Sequence, residues 1–197
     1  MDQIHCIGDS HVNFFCVSPF IHHWLGPLLA YNLSNKLDKV DELKIPLGSK
    51  ILMCFGEIDC RFHIQKQIIL QNKSQEELVK ECVLRYIDAL LKISQKGYDV
   101  GAFGPVASSP FPASDHKDFP RIGTCIERNE ITKIFNEELS KECKNVGLKF
   151  VSIFSLLLNE DGTSKKEFYA DEVHLSQTIM PVTKPLVLEE FKIFPSI

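Results

Sequence analysis

Along this chain, short and continuously apolar runs alternate with longer stretches in which apolar residues recur every three to four positions. Residues 4–8, 51–55, 98–103 and 148–154 are of the first kind and predict buried strands. The first runs into Gly8-Asp9-Ser10, and the second is closed by Gly56. Of the second kind, Leu25, Leu28, Leu29, Leu33 and Leu37 predict a helix over 25–37. Ser74 and Glu77 have the spacing of a capping box. The helix they open carries Val79, Cys82, Val83, Tyr86, Ile87, Leu90 and Leu91 on one face and stops at Gly97. Residues 127–146 predict another helix, with Ile131, Ile134, Phe135, Leu139 and Cys143 inward and Gly147 as its stop. Residues 40–46 read as a weak edge strand. Residues 104–121, with Pro105, Pro110, Pro112 and Pro120, read as a long loop of a kind that is often functional. Beyond Ser176, Pro181 and Pro185 interrupt any single long helix.

Apolar strands alternating with amphipathic helices predict an α/β fold with a parallel sheet covered on both faces. In such sheets ligands bind beyond the carboxyl ends of the strands. At 197 residues the chain is expected to form a single domain, 1–197, with a core large enough to need no disulfide or structural metal. The 22 Lys and Arg against 26 Asp and Glu are scattered, so no phosphate-binding footprint and no nucleic-acid partner are expected. The longest apolar stretches, 51–55 and 150–158, fall well short of the ~20 residues that span a bilayer, so no membrane insertion is expected. The opening residues, Met1 to His5, show no basic region followed by an apolar run, so no signal peptide is expected. Seven cysteines at irregular spacing, with no C-x-x-C pair, read as reduced and mostly buried thiols in a cytoplasmic protein. Oligomeric state is left open.

Four short motifs fall where that sheet would bind a ligand. Ser10 stands just past the first strand, after a glycine whose backbone freedom suits a tight turn. Asp171-Glu172-Val173-His174 sets an acid three residues before an imidazole, the pair a serine nucleophile needs as base and orienting acceptor. Gly56-Glu57-Ile58-Asp59 follows the second strand, and Gly26-Pro27 stands at the start of the 25–37 helix. A helix start offers N–H groups that can stabilise a developing negative charge. The other histidines, His5, His11, His22, His23 and His63, lack the H-x-x-x-H or H-E-x-x-H spacing of a metal site. His22 and His23, if helical, point about 100° apart. No metal is expected, and His11 reads as a rim residue.

In this order the motifs resemble the SGNH/GDSL hydrolase superfamily: Gly8-Asp9-Ser10 its first block, Gly26 its second, Gly56-Glu57-Ile58-Asp59 its third, Asp171 to His174 its last. The resemblance implies a three-layer α/β/α sandwich on a flavodoxin-like parallel sheet of four to five strands. It implies Ser10 as nucleophile, His174 as base, Asp171 as orienting acid, and the Ser10 and Gly26 N–H groups as oxyanion donors. The chain departs from it at Ile58, where the third block usually has an asparagine that supplies a third donor. Loss of such a donor costs ~2.7–4 kcal/mol of transition-state stabilisation. Three routes stay open: another donor substitutes, with Arg61 and His63 the nearest; the enzyme works with two; or catalysis has lapsed. Arg61 also suits an anionic substrate group such as a sugar-nucleotide phosphate, or a surface ion pair with Glu57 or Asp59.

The expected function is therefore serine-dependent acyl chemistry through an acyl-Ser10 intermediate, on a small-molecule or glycan substrate. Acetylated carbohydrates and sugar nucleotides are the favoured class. Water as acceptor makes an esterase; a sugar hydroxyl or amine makes an acyltransferase. No tightly bound cofactor is expected, with acetyl-CoA a co-substrate only for the transferase. The alternative is a catalytically lapsed binding module of the same fold. A flavodoxin-like nucleotide binder has no phosphate-cradling loop to support it.

Overall fold

A computed structural model describes residues 3–112 and 120–193. Five strands form one parallel sheet: β1 Ile4–Gly8, β2 Phe20–Trp24, β3 Lys50–Cys54, β4 Asp99–Phe103 and β5 Lys149–Val151, in the order β2-β1-β3-β4-β5. The helices are α1 Asp38–Asp41, α2 Ile64–Gln71, α3 Gln75–Gln95, α4 Cys125–Val146 and α5 Met180–Glu190, joined by several short 3-10 turns. This is a three-layer α/β/α sandwich whose strand order is that of the flavodoxin-like sheets, with a topological switch point between β1 and β3.

Alternation along the strands divides the core in two. Ile7, Ile51, Met53, Val100 and Ala102 face a cluster built with Val79, Val83, Tyr86 and Leu90 of α3 and Ile131, Phe135 and Leu139 of α4. Ile4, Cys6, Leu52, Cys54 and Phe103 face the other cluster, with Phe14, Phe15, Met180 and Val187. Each such fully buried aliphatic side chain contributes roughly 1.5–3 kcal/mol relative to exposure. Tyr86 is buried whole because its hydroxyl donates to the Met53 carbonyl at 3.0 Å. Reciprocal capping boxes, Ser74 with Glu77 and Thr124 with Glu127, start the two long helices. Gly147, at φ 75°, ends the second.

Several sequence expectations are corrected. The helix expected over 25–37 is a loop to Leu29 and a 3-10 helix, Ala30–Lys36, before α1. The leucine spacing marks burial against the core, which a 3-10 turn satisfies as well as an α-helix. Residues 40–46 form no strand; α1 and a turn occupy part of them. One edge is β2, whose Phe-Ile-His-His-Trp breaks the apolar run because only Phe20 is buried and the residues after it alternate between half-buried and exposed. His22 and His23 accordingly point to opposite faces. His23 hydrogen-bonds His5 across the sheet at 2.9 Å. β5 ends at Val151, and Phe154 begins a 3-10 turn, Phe154–Leu157. Pro181 sits in the first turn of α5, where no N–H is missed, and Pro185 lies inside a helix that continues past it. Among the described residues no helix is long and apolar enough to cross a membrane. All seven cysteines are free, five of them buried.

Candidate active site

The carboxyl ends of β1 and β3 meet where Gly8 pairs with Cys54. Gly8 is required for close approach and not for turn freedom: a Cβ there would lie 2.4 Å from the Cys54 carbonyl oxygen. The chain then turns at Asp9 into a short 3-10 helix, Ser10–Phe15. Asp9 is its N-cap, accepting the His11 N–H at 2.8 Å. Ser10 thus occupies the first helical position, half-buried, at the sheet's carboxyl edge.

The far end of the chain returns to this edge. Tyr169 and Leu175 form an antiparallel bridge, and the Ala170 N–H donates to the His174 carbonyl at 2.9 Å, closing a tight turn. Within it Asp171 accepts the Val173 and His174 N–H groups, each at 2.7 Å. Asp171 Oδ2 is 2.8 Å from His174 Nδ1, and His174 Nε2 is 2.8 Å from Ser10 Oγ. With Nδ1–H directed to Asp171, Nε2 is left as acceptor for the serine hydroxyl. Partial burial acts to raise the Asp171 carboxyl, but the His174 N–H and ring and the Val173 N–H outweigh it and hold the carboxyl below its ordinary range. The Gln177 amide, donating to the Phe14 carbonyl at 2.7 Å, and the Tyr169 hydroxyl, donating to the Ala107 carbonyl at 2.6 Å, fasten the stem of the turn.

Beside Ser10 lies a buried charge cluster. His11 is not a rim residue: it is 7% exposed, with Nδ1 3.0 Å from Asp9 Oδ1 and Nε2 3.3 Å from the Val173 carbonyl. Glu57 Oε2 stands 3.7 Å from the same Nε2. Burial opposes charge on His11, yet Glu57 and Asp9 outweigh it and push its pKa up to about 9. Arg61 donates from Nε to Glu57 at 2.8 Å, so the ion pair expected at the surface is buried instead. The spacing of His11 and Glu57 held no signal of this meeting; only the alignment of β1 and β3 brings them together.

The remaining nominated residues have other surroundings. Asp59 is fully buried and accepts the Ala30 and Tyr31 N–H groups at 2.8 and 3.2 Å, and so caps the 3-10 helix from another segment. Desolvation raises its pKa to about 6 against those hydrogen bonds. The helix start therefore lies four residues beyond Gly26, and its leading N–H groups are already taken. Gly26 sits in the loop at φ 91°, facing open space, next to Leu25, whose N–H donates to the Gly8 carbonyl at 2.9 Å. Gly56, at φ 114°, turns the chain off β3 in a conformation that favours glycine. Ile58 is buried and apolar. It precedes a π-helical turn, Asp59–His63, a form frequent at functional sites. His63 meets the Tyr31 ring at a tilt, with centroids 5.3 Å apart, and lines a separate pocket with Gln67, Gln71 and Glu81, which holds none of Ser10, Asp171 and His174.

The loop after β4 is buried from Gly104 to Ser109 and fastened at Ser108. The Ser108 N–H donates to Asn129 Oδ1 at 2.8 Å, Arg128 Nε to Ser108 Oγ at 2.6 Å, and Ser164 Oγ to the Ser108 carbonyl at 2.6 Å. Residues 113–119 of the expected functional loop lie outside the described residues. Among the described residues no group of three or more His, Cys, Asp or Glu is placed to hold a metal ion.

No protein-family model matches the sequence, and no curated protein matches it. Solved structures do. A GDSL-like lipase from Bacteroides thetaiotaomicron superposes with a TM-score of 0.66 at 12% identity, covering 98% of this chain and 89% of its own. An acetyl-xylooligosaccharide esterase from Geobacillus gives 0.61 at 11%, covering 100% and 96%. A psychrotrophic esterase from Pseudoalteromonas sp., inhibited by monoethylphosphonate, gives 0.51 at 11%, covering 98% and 97%. The fold is that of the SGNH/GDSL hydrolases.

Proposed function

We propose that the protein is a serine-dependent acyl ester hydrolase. The observation that carries this reading is the unbroken chain from Ser10 Oγ through His174 to Asp171, with both links at 2.8 Å. Ser10 Oγ attacks the ester carbonyl carbon while its proton passes to His174 Nε2. The ester C–O bond breaks, the leaving alcohol takes that proton, and the acyl group stays on Ser10. Water then gives a proton to the same nitrogen and attacks the acyl carbon; the acyl–Ser10 C–O bond breaks, Ser10 Oγ takes the proton back from His174, and the carboxylic acid leaves. Asp171 holds the tautomer and stabilises the transient imidazolium. The Ser10 and Gly26 N–H groups are the proposed oxyanion donors, with no third one at position 58.

Acetylated carbohydrates are the proposed substrate class, on the strength of the esterase neighbour that acts on acetyl-xylooligosaccharides. An acyltransferase would differ only in letting a sugar hydroxyl or amine, and not water, take the acyl group. Ile58 favours a second reading, a binding module without turnover, because an apolar side chain stands where the superfamily's asparagine donor would be.

A fluorophosphonate probe separates the two. The wild type is expected to take one label, and Ser10→Ala none, with hydrolysis of p-nitrophenyl acetate falling on the order of 10⁴-fold or more. An unlabelled wild type, or equal labelling of the variant, overturns the proposal. Acetate released from acetylated xylo-oligosaccharides without added acceptor identifies a hydrolase. Product only with an amino sugar and acetyl-CoA identifies a transferase.

A further inference from the structure

We propose that His11 is a positioning residue for this chemistry: a two-ended donor that ties the Ser10 helix to Val173 and so sets where the His174 ring meets the serine hydroxyl. The inference rests on the reading of Ser10 and His174 as nucleophile and base.

Both ring nitrogens of His11 face acceptors. Nδ1 is 3.0 Å from the Asp9 carboxylate, and Nε2 is 3.3 Å from the Val173 carbonyl, with Glu57 beyond it at 3.7 Å. A carbonyl and a carboxylate can only accept, so both contacts are hydrogen bonds only when both nitrogens carry protons. The charged and titratable groups around the ring are Asp9 from the turn after β1, Glu57 and Arg61 from the segment after β3, and His174, whose ring centroid is 5.2 Å away. Cys54 shares the small cavity lined by Asp9, His11 and Glu57. Two carboxylates against one guanidinium keep the buried ring cationic through neutral pH, in keeping with a pKa of about 9.

The placement matters because of chain adjacency. His11 is the neighbour of Ser10, and Val173 is the neighbour of His174. Ser10 meets His174, and His11 meets Val173, so two consecutive contacts register segments 164 and 162 residues apart. The Gln177 and Tyr169 bonds hold the stem of the turn; the His11 bond acts on the residue next to the proposed base. Deprotonation leaves one donor for two acceptors, and either the Asp9 or the Val173 contact is lost. A misplacement of about 1 Å at a reacting group costs up to ~10²-fold in rate.

The test measures kcat and KM of the full chain for p-nitrophenyl acetate from pH 6 to 10, in wild type, His11→Gln and Gln177→Ala. His11→Gln is expected to lower kcat about 10- to 100-fold at pH 7 with KM within about twofold. The wild-type fall in kcat near pH 9 should be absent from His11→Gln and retained by Gln177→Ala, which loosens the turn without touching the titrating ring. A His11→Gln profile that matches wild type in kcat and in its alkaline limb overturns the inference. Should that variant not fold, nitrogen-15 spectra of wild-type histidine rings decide: His11 protonated at both nitrogens at pH 7 supports it, and a neutral His11 ring at pH 7 overturns it. Failure of wild-type Ser10 to label would overturn the proposed function, and the ring spectra would still read the two-ended donor by itself.

Discussion

Two Asp–His pairs stand side by side at the end of β1, and they have opposite characters. Asp171 and His174 lie in an exposed turn, with side chains 54% and 37% accessible, and their ring reaches both Ser10 and solvent. Asp9 and His11 are almost wholly buried, and a second carboxylate, Glu57, closes on the same ring. The same two residue types therefore do different work. A ring with one carboxylate and an open face can take up and give back a proton. A ring clamped between two carboxylates in a low-dielectric site keeps its proton and serves as a fixed charge and a fixed donor.

Removing one carboxylate from each pair should break the symmetry in opposite directions. Asp171→Asn is expected to lower kcat about 10²- to 10⁴-fold while leaving the urea midpoint nearly unchanged, because the carboxylate is exposed. Asp9→Asn leaves a buried cation short of a partner and should destabilise folding by about 3–5 kcal/mol, read from urea unfolding. A large stability loss in the first variant, or none in the second, would erase the contrast.

The buried pair also carries a pH signature. The folded-state pKa of His11, about 9, lies above its ordinary 6.5, so its contribution to stability is complete below about pH 6.5 and lost as pH rises through about 9. The expected loss is on the order of 3 kcal/mol, visible in unfolding curves from pH 6.5 to 10 and missing in His11→Gln. Asp59 acts in the same sense at lower pH, since its folded-state pKa is also raised and its contribution is also lost as pH rises. Its carboxyl is raised to about 6, so it favours folding most when protonated, and its effect weakens stability between about pH 4 and 6. The smallest expected effect concerns Ile58. Ile58→Asn should raise kcat, by no more than about 10²-fold, by supplying a donor to the oxyanion. It should cost about 1–3 kcal/mol of stability through the buried amide. An unchanged or lower kcat would mean that two donors suffice or that another group fills the role.

Much of the fold was legible because burial leaves a period in the sequence. The two long helices, each with a one-faced apolar pattern, emerged close to their observed limits, and four of the five strands emerged as apolar runs. β2 escaped because an edge strand buries only part of its surface. The 25–37 segment misled because a 3-10 turn satisfies the same leucine spacing as an α-helix. At the site, Gly8-Asp9-Ser10 and Asp171 to His174 were readable as candidates, since each is a local motif. The meeting of His11 with Glu57 and Val173 was not, since it joins segments more than 40 positions apart in the chain.

By itself, the sequence determined which segments seek the interior, where the chain turns, and that a serine and an acid–imidazole pair lie beyond strand ends. Only the tertiary structure decided which of the two histidines meets the serine hydroxyl and which is buried between carboxylates. It also decided that Asp59 serves a helix end and that the Glu57–Arg61 pair is buried. The reason is physical. Secondary structure answers to local periodicity, whereas the protonation state of a side chain answers to every charge and every lost water within a few ångströms, and those are set by how distant strands align.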